Sequence, residues 1–321
     1  MSRAPLPDIP SGTPSDKVSD NLRGSLFMIL AMAAFAVEDA LFKSVTRTLQ
    51  PGVGTFLFGL TGLALFSAWS LLAGERVLVP EMRRPRLLLR SGIEIAGRLF
   101  FALALAYAPL ATTSAILQAT PLVVIAGAAL FFGTRVAPVR WIAVGLGFVG
   151  VLMVIRPTPA AFDATALFAV AATFGFAGRD LATRASPPSV TARQLGVLGF
   201  LVVTAAGLIL IGFDEGPFRL PTLSEAARLA LTGLFGVTAY QALTQAMRTG
   251  EVAVVTPFRY TRLLFALLFA VLLFGERLDG WTIAGMALIV GTGVFALLPG
   301  PGGDRGRGRG NSSVEPPRRR G

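Results

Sequence analysis

Ten apolar blocks run along this chain, at 24–45, 52–73, 87–107, 110–132, 139–156, 162–183, 192–213, 224–247, 252–274 and 280–298. Each has about the 20 residues that a helix needs to span roughly 30 Å of hydrocarbon. Lipid gives backbone N–H and C=O groups no partner, so a segment that crosses it must bond to itself as a helix. A transmembrane β-barrel would need short strands of alternating polarity, and these runs are continuous. Composition agrees: 53% of residues are hydrophobic and only 15% charged, against about 25% charged in a soluble domain. The expected fold class is an all-α membrane protein of ten transmembrane helices.

The chain has no Cys and no His. That excludes disulfides, thiol nucleophiles, thiolate metal sites and imidazole bases, leaving proton chemistry to carboxylates, Lys and Tyr. No cofactor and no metal is expected. The net charge of +11 could mark a nucleic-acid binder; in a membrane protein it marks the cytoplasmic side. If both ends are cytoplasmic, the inner segments hold Arg3, Lys17, Arg23, Arg76, Arg83, Arg84, Arg86, Arg90, Arg135, Arg140, Arg184, Arg193, Arg248 and six tail arginines. The outer segments hold Arg47, Arg156, Arg219, Arg228 and Arg277, so the balance is 19 against 5. The skew of the basic residues toward Arg fits a GC-rich bacterial genome, and the expected location is the bacterial inner membrane, multi-pass, with both termini inside. Residues 1–22, rich in Pro, Ser and Asp, and the basic 300–321 read as disordered cytoplasmic tails. The tail arginines are a solvated anchor rather than an RNA-binding segment, and Asn311 lies on the wrong side for glycosylation.

An internal repeat divides the chain. "YAPLATTSAILQATPLVVIAGAALFFGTRVAPVRWIAVGLGFVGV" and "MRTGEVAVVTPFRYTRLLFALLFAVLLFGERLDGWTIAGMALIVGTGV" each pass from a polar hinge through an apolar helix with one proline to Phe-Gly-x-Arg, a turn, a Trp and a Gly-rich helix. Phe132 and Phe274 are 142 residues apart, Trp141 and Trp281 140 apart. Five spans per half is an odd number, so the halves take opposite orientations across the bilayer, an arrangement common among secondary transporters. The two copies resemble EamA domains of the drug/metabolite transporter superfamily, over 23–157 and 158–299. The first copy departs from the pattern at Thr134, where the second has Glu276; Glu276 is best explained as a membrane-edge cap or ion pair. The resemblance implies a central cavity surrounded by helices 1, 3, 4, 6, 8 and 9, with helices 5 and 10 packed outside. "GLGFVG", at Gly145, Gly147 and Gly150, matches a dinucleotide fingerprint but lies inside an apolar span, where small residues serve close helix packing.

Charges inside spans are expensive, about 2.5–3.5 kcal/mol each on the insertion scale. Segment one holds Glu38, Asp39 and Lys43; segment three Glu94 and Arg98; segment six Arg179 and Asp180; segment nine Arg259 and Arg262. Such groups face water or one another. Asp39 with Lys43, and Glu94 with Arg98, are four apart and can pair along a helix face. Arg259 and Arg262 lie roughly 10–15 Å into the membrane and can face one cavity, where they meet either a partner acid or an anionic part of a cargo. In the repeat Tyr260 aligns with Gln118 and Tyr240 with Arg98. Tyr240, Gln241 and Gln245 form a polar stripe on segment eight.

These features point to a secondary transporter of a small organic metabolite, working by alternating access. The cavity candidates are Arg259, Arg262, Tyr260, Tyr240, Gln241, Gln245, Gln118, Arg98 and Arg179, and the proton-coupling candidates are Glu38, Asp39 and Glu94. The resemblance allows amino acids or their derivatives, riboflavin and S-adenosylmethionine as cargo. The partners are the cargo and the lipid bilayer, with no nucleic acid; a homodimer is compatible with the sequence. The alternative class is a non-transporting membrane scaffold or lipid-handling protein, whose polar residues would pair off completely. An enzyme is not expected, because no nucleophile or paired-carboxylate motif is present.

Overall fold

The computed structural model describes residues 14–107, 116–134, 136–156, 164–214, 219–274 and 279–297. Among them are ten long helices: α1 (Pro14–Thr46), α2 (Pro51–Leu72), α3 (Pro85–Tyr107), α4 (Thr120–Phe132), α5 (Pro138–Ile155), α6 (Ala166–Arg184), α7 (Ala192–Ile211), α8 (Leu223–Thr249), α9 (Thr261–Phe274) and α10 (Gly280–Leu297). Each lies within or overlaps one of the ten apolar blocks; α4 covers only 120–132 of the fourth and α9 only 261–274 of the ninth. Glu276, Arg277, Asn311 and the tail arginines lie outside the described residues.

Five stretches are long and apolar enough to cross a membrane: Val18–Thr46, Pro51–Leu72, Pro138–Ile155, Ala192–Ile211 and Val252–Phe269. Thr120–Phe132 and Gly280–Phe295 are apolar but shorter. The helices α3, α6 and α8 are diluted by the charges that distinguish them, among them Arg90, Glu94 and Arg98 on α3 and Arg179 and Asp180 on α6.

Local chemistry sets the helix ends. Proline opens α2, α4 and α5, where its missing N–H is one that no helical partner would satisfy. Thr191 with Gln194, and Thr222 with Glu225, form capping boxes at α7 and α8. Gly133 closes α4 at φ 64°. Segment nine is not one helix. A short turn, Val252–Val255, and a 3-10 stretch, Thr256–Tyr260, precede α9. Pro257 has no N–H to give the ladder, and the chain tightens there.

Packing is pairwise: α1 on α8, α2 on α7, α3 on α6 and α5 on α10, with α4 against α6 and α9 against α1. Exchanging helix n with helix n+5 maps this set of pairs onto itself. The members of a pair run antiparallel. Gly52 lies against Ile211, Gly59 against Thr204, Gly62 against Phe200 and Phe66 against Gly196, so the numbers fall along α7 as they rise along α2. In α5, Gly150 sits so close to α10 that a Cβ would lie 2.8 Å from the Gly285 carbonyl, and Gly147 faces Tyr260 and Thr292. Gly147 and Gly150 thus serve helix packing, as their setting predicts, whereas a Cβ on Gly145 would meet nothing within 4 Å.

The α2–α7 pair is clasped at both ends. The Asp214 carboxylate, three residues past α7, accepts from the N–H groups of Gly52 and Val53 at 3.1 and 3.2 Å. Glu75, three residues past α2, accepts from the Thr191 hydroxyl at 2.8 Å and is ion-paired with Arg193. Asp214 thereby caps the first turn of α2, where negative charge is favoured, and Glu75 holds two side chains at the start of α7.

Candidate functional site

A network of ionised groups lies in the middle of the bundle. Its hub is Glu94, fully buried, near the midpoint of α3. Arg90 approaches Glu94 at 3.4 Å from one turn before, Arg98 at 4.0 Å from one turn after, and Arg179 of α6 at 3.5 Å. The Tyr240 hydroxyl of α8 donates to Glu94 at 3.3 Å and accepts from Arg90, whose Nε also donates to Thr183 at 3.2 Å. Arg179 is bidentate on its own neighbour, Asp180, at 2.8 and 2.9 Å. Asp180 takes a second cation, Arg259, from the 3-10 stretch before α9. Arg90, Arg179, Asp180 and Tyr240 are all buried. Two carboxylates therefore face four guanidinium groups.

Arg262 stands beside this network. Its Nε donates to Asp39 of α1 at 2.9 Å, and its guanidinium lies 5.2 Å from the centroid of Phe35. Arg179 lies 5.5 Å from Phe176. Phe35-Ala36-x-x-Asp39 and Phe176-Ala177-x-x-Asp180 stand 141 residues apart in the two repeats. Each copy thus offers one arginine an aromatic face and another, or the same one, a carboxylate; the two segment-nine arginines divide between the copies.

The structure brings Arg98, Arg179, Arg259, Tyr240 and Glu94 into contact, with Arg262 and Asp39 as an adjoining pair. Glu38 is within electrostatic reach of Arg262, Arg98 and Arg179, but its buried Oε2 has no hydrogen-bond partner. Gln241 is half-buried on α8 and its Oε1 likewise lacks a donor. Gln118 and Gln245 are half-buried, and neither side chain hydrogen-bonds to the network. Tyr260 lies elsewhere: fully buried between α5 and α10, it packs on Val151 and Ile289 and donates to the Val144 carbonyl at 3.3 Å.

Two expectations change. Asp39 pairs with Arg262 and not with Lys43, which is exposed. A multivalent cross-helix partner that also stacks on Phe35 competes better than a flexible ammonium that gains by staying in solvent. Glu94 is closer to Arg90 and Arg179 than to Arg98. Counting Arg90 with the loop arginines hides it, although Arg90, Glu94 and Arg98 at four-residue steps form one stripe of α3. Asp180 carries a signal too, in the repeated Phe-Ala-x-x-Asp. Thr183 carries none.

Comparison with known proteins follows from this architecture. Residues 22–156 and 163–298 each match the EamA-like transporter family. The chain is 30% identical over 287 residues to a riboflavin transporter of Rhizobium johnstonii, covering 85% of this chain and 90% of that one. It is 28% identical over 275 residues to the pseudopaline exporter CntI of Pseudomonas aeruginosa (83% and 93% covered) and 24% identical over 273 residues to an S-adenosylmethionine uptake transporter of Rickettsia bellii (84% and 92%). A solved crystal structure shares the fold at a TM-score of 0.74 and 23% identity, covering 87% of this chain and 98% of the other. Two consecutive matches over nearly all the described helices place this chain in the EamA-like transporter family, with two copies of the family's domain.

Proposed function

We propose that this protein is a secondary transporter that carries a small organic metabolite across a bacterial cytoplasmic membrane. In this reading all ten helices cross the bilayer as two inverted five-helix halves, over 23–157 and 158–299, with both termini cytoplasmic. The halves rock about the Glu94 network in alternating access. The observation that carries the proposal is the network itself: four arginines on two carboxylates in the middle of an apolar bundle. A purely structural network would be expected to neutralise itself, since unpaired buried charge destabilises. A cargo that meets the surplus explains why the charges are kept. Relatives named for riboflavin, S-adenosylmethionine and pseudopaline support metabolite carriage and span import and export.

Proton coupling, where it operates, is assigned to Glu38. Of the three carboxylates expected to serve, Asp39 and Glu94 hold arginines. A proton can come and go at Glu38 without breaking an ion pair. The test is flux in proteoliposomes, with metabolites preloaded and exchange followed by mass spectrometry. Exchange of at least one metabolite, lost in Arg259→Ala, is the expected result. An imposed pH gradient should change the flux in the natural chain and not in Glu38→Gln. Empty exchange across the set overturns the carrier reading.

A further inference from the structure

Arg76, Arg83, Arg84 and Arg86 crowd the connector between α2 and α3 and the first turn of α3. All four are exposed, and none of their guanidinium groups bonds to a described residue. Glu81 is the one acid between Arg76 and Arg90. Four other arginines at this end of the bundle are occupied. Arg140 is ion-paired with Glu251 and Arg193 with Glu75. Arg184 donates to the Met247 and Gly250 carbonyls at 2.9 and 2.7 Å, and Arg248 to those of Val190 and Pro187 at 2.8 and 2.9 Å. The connector itself is pinned. Val79 and Leu87 pack with Val190, Leu195 and Leu198 around the start of α7, Met82 is buried, and Gln194 donates to the Arg76 carbonyl at 2.9 Å. The four free cations therefore stand on a fixed face.

What that face meets follows from its depth. Trp69 lies three residues before the end of α2, partly exposed, with the Arg193 guanidinium 5.6 Å from its ring. Trp settles at the level of lipid headgroups, so the chain that follows, from Glu75 to Arg86, lies in that layer. Leu78, Leu88 and Leu89 are exposed beside the arginines and suit the acyl chains just beneath. The charge also has the wrong sign for α3. Its first turn holds Arg86 and no acid, whereas a helix start favours negative charge. An anion from outside the chain answers both the free cations and the helix start. We propose that Arg76, Arg83, Arg84 and Arg86 form a binding surface for anionic phospholipid headgroups. Guanidinium groups grip phosphate through paired N–H donors, and every cation on this face is Arg. The surface rests on the reading that α2 and α3 cross the bilayer; the cargo plays no part in it. α3 bears Glu94, so a headgroup on its first turn steadies the helix that carries the network.

Thermal unfolding of the full chain, purified in detergent and titrated with phosphatidylglycerol or with phosphatidylcholine, tests this. A ligand that binds the native state raises Tm. Phosphatidylglycerol should raise Tm to a plateau, and phosphatidylcholine at the same concentration should not. An arginine beside a headgroup is worth about fivefold in binding, so Arg83→Gln, Arg84→Gln and Arg86→Gln combined should move the midpoint about 100-fold upward. The lipid-free Tm of that variant should be no lower than that of the natural chain, since the three hold no acceptor in the protein; a fall there assigns them a structural role and overturns the surface. Arg47→Gln with Arg228→Gln, both exposed at the opposite end of the bundle, is the control and should leave the midpoint within about twofold. If the glutamine variant does not fold, two measurements decide in its place. Arg83→Lys, Arg84→Lys and Arg86→Lys combined keep the charge and should stay within about 10-fold of the natural chain. Raising salt from about 0.1 to about 1 M should weaken the natural chain's binding, because screening shortens to about 3 Å. An equal rise with phosphatidylcholine, the same rise with inorganic phosphate alone, full affinity in the glutamine variant, or indifference to salt overturns the surface. Metabolite exchange in proteoliposomes without any phosphatidylglycerol effect on Tm removes the surface and leaves the carrier; a phosphatidylglycerol effect without exchange does the reverse.

Discussion

Glu94 shows how one residue can carry more than its position discloses. The sequence marks it as an intramembrane acid with Arg98 one turn away. The folded chain gives it two further arginines and a tyrosine, two of these three from helices more than 80 residues distant. Removing one partner of a buried network strands the others, at about 3–5 kcal/mol. Glu94→Gln, nearly isosteric, should therefore lower unfolding stability in nanodiscs by that amount, whereas Glu38→Gln should not. Equal stability of the Glu94→Gln and natural chains would show that the hub is solvated and not structural. The difference between two glutamates on apolar helices is not legible in composition. It depends on what the neighbouring helix presents.

At the scale of elements, the sequence is an accurate guide wherever the cause is local. Proline at helix starts, capping boxes, Gly133 at a helix end and the break at Pro257 each act within a few residues of where they are written. Small residues mark contacts between elements. Bilayer helices gain little from hydrophobic burial against each other and depend on close packing. Gly150→Leu would drive a side chain into the Gly285 carbonyl, and should cost about 1–3 kcal/mol in unfolding stability, with loosened α5–α10 packing seen as faster hydrogen exchange at both helices. The clasp around α2 and α7 predicts a pH dependence. Arg193, aided by the Thr191 hydroxyl, holds the Glu75 carboxyl below the ordinary glutamate range. A carboxyl depressed in the folded state stabilises it above its unfolded value, about 4.3, and that stability is lost as pH falls through the folded value. Acid titration of nanodisc melting from pH 6 downward should therefore be shallower in Glu75→Gln than in the natural chain, with the difference opening below about pH 4–5. Parallel curves would remove the clasp as a source of stability.

At the scale of the whole molecule, α2 and α5 each pack on their own counterparts in the other half, α7 and α10, while α1 and α3 pack crosswise on α8 and α6, as folding a five-helix unit twice in opposite senses would give. The absence of cysteine makes the proposed orientation directly measurable. In intact cells a membrane-impermeant maleimide should label Leu220→Cys, on the outer side of this reading, and leave Glu81→Cys unlabelled; the reverse pattern inverts the topology. The sequence by itself determined the ten helices, the twofold repeat and which charges would lie within apolar segments, because hydrocarbon forces the backbone to bond within its own segment and the cost of charge is paid residue by residue. Only the tertiary structure decided which charge meets which. Asp39 goes to Arg262 and leaves Lys43, Arg90 joins the core instead of the loop, Tyr260 turns away to α5, and Glu38 is left without an ion pair among the described residues. Those outcomes depend on distances between helices far apart in the chain, and Coulomb energy is set by separation in space and not along the sequence.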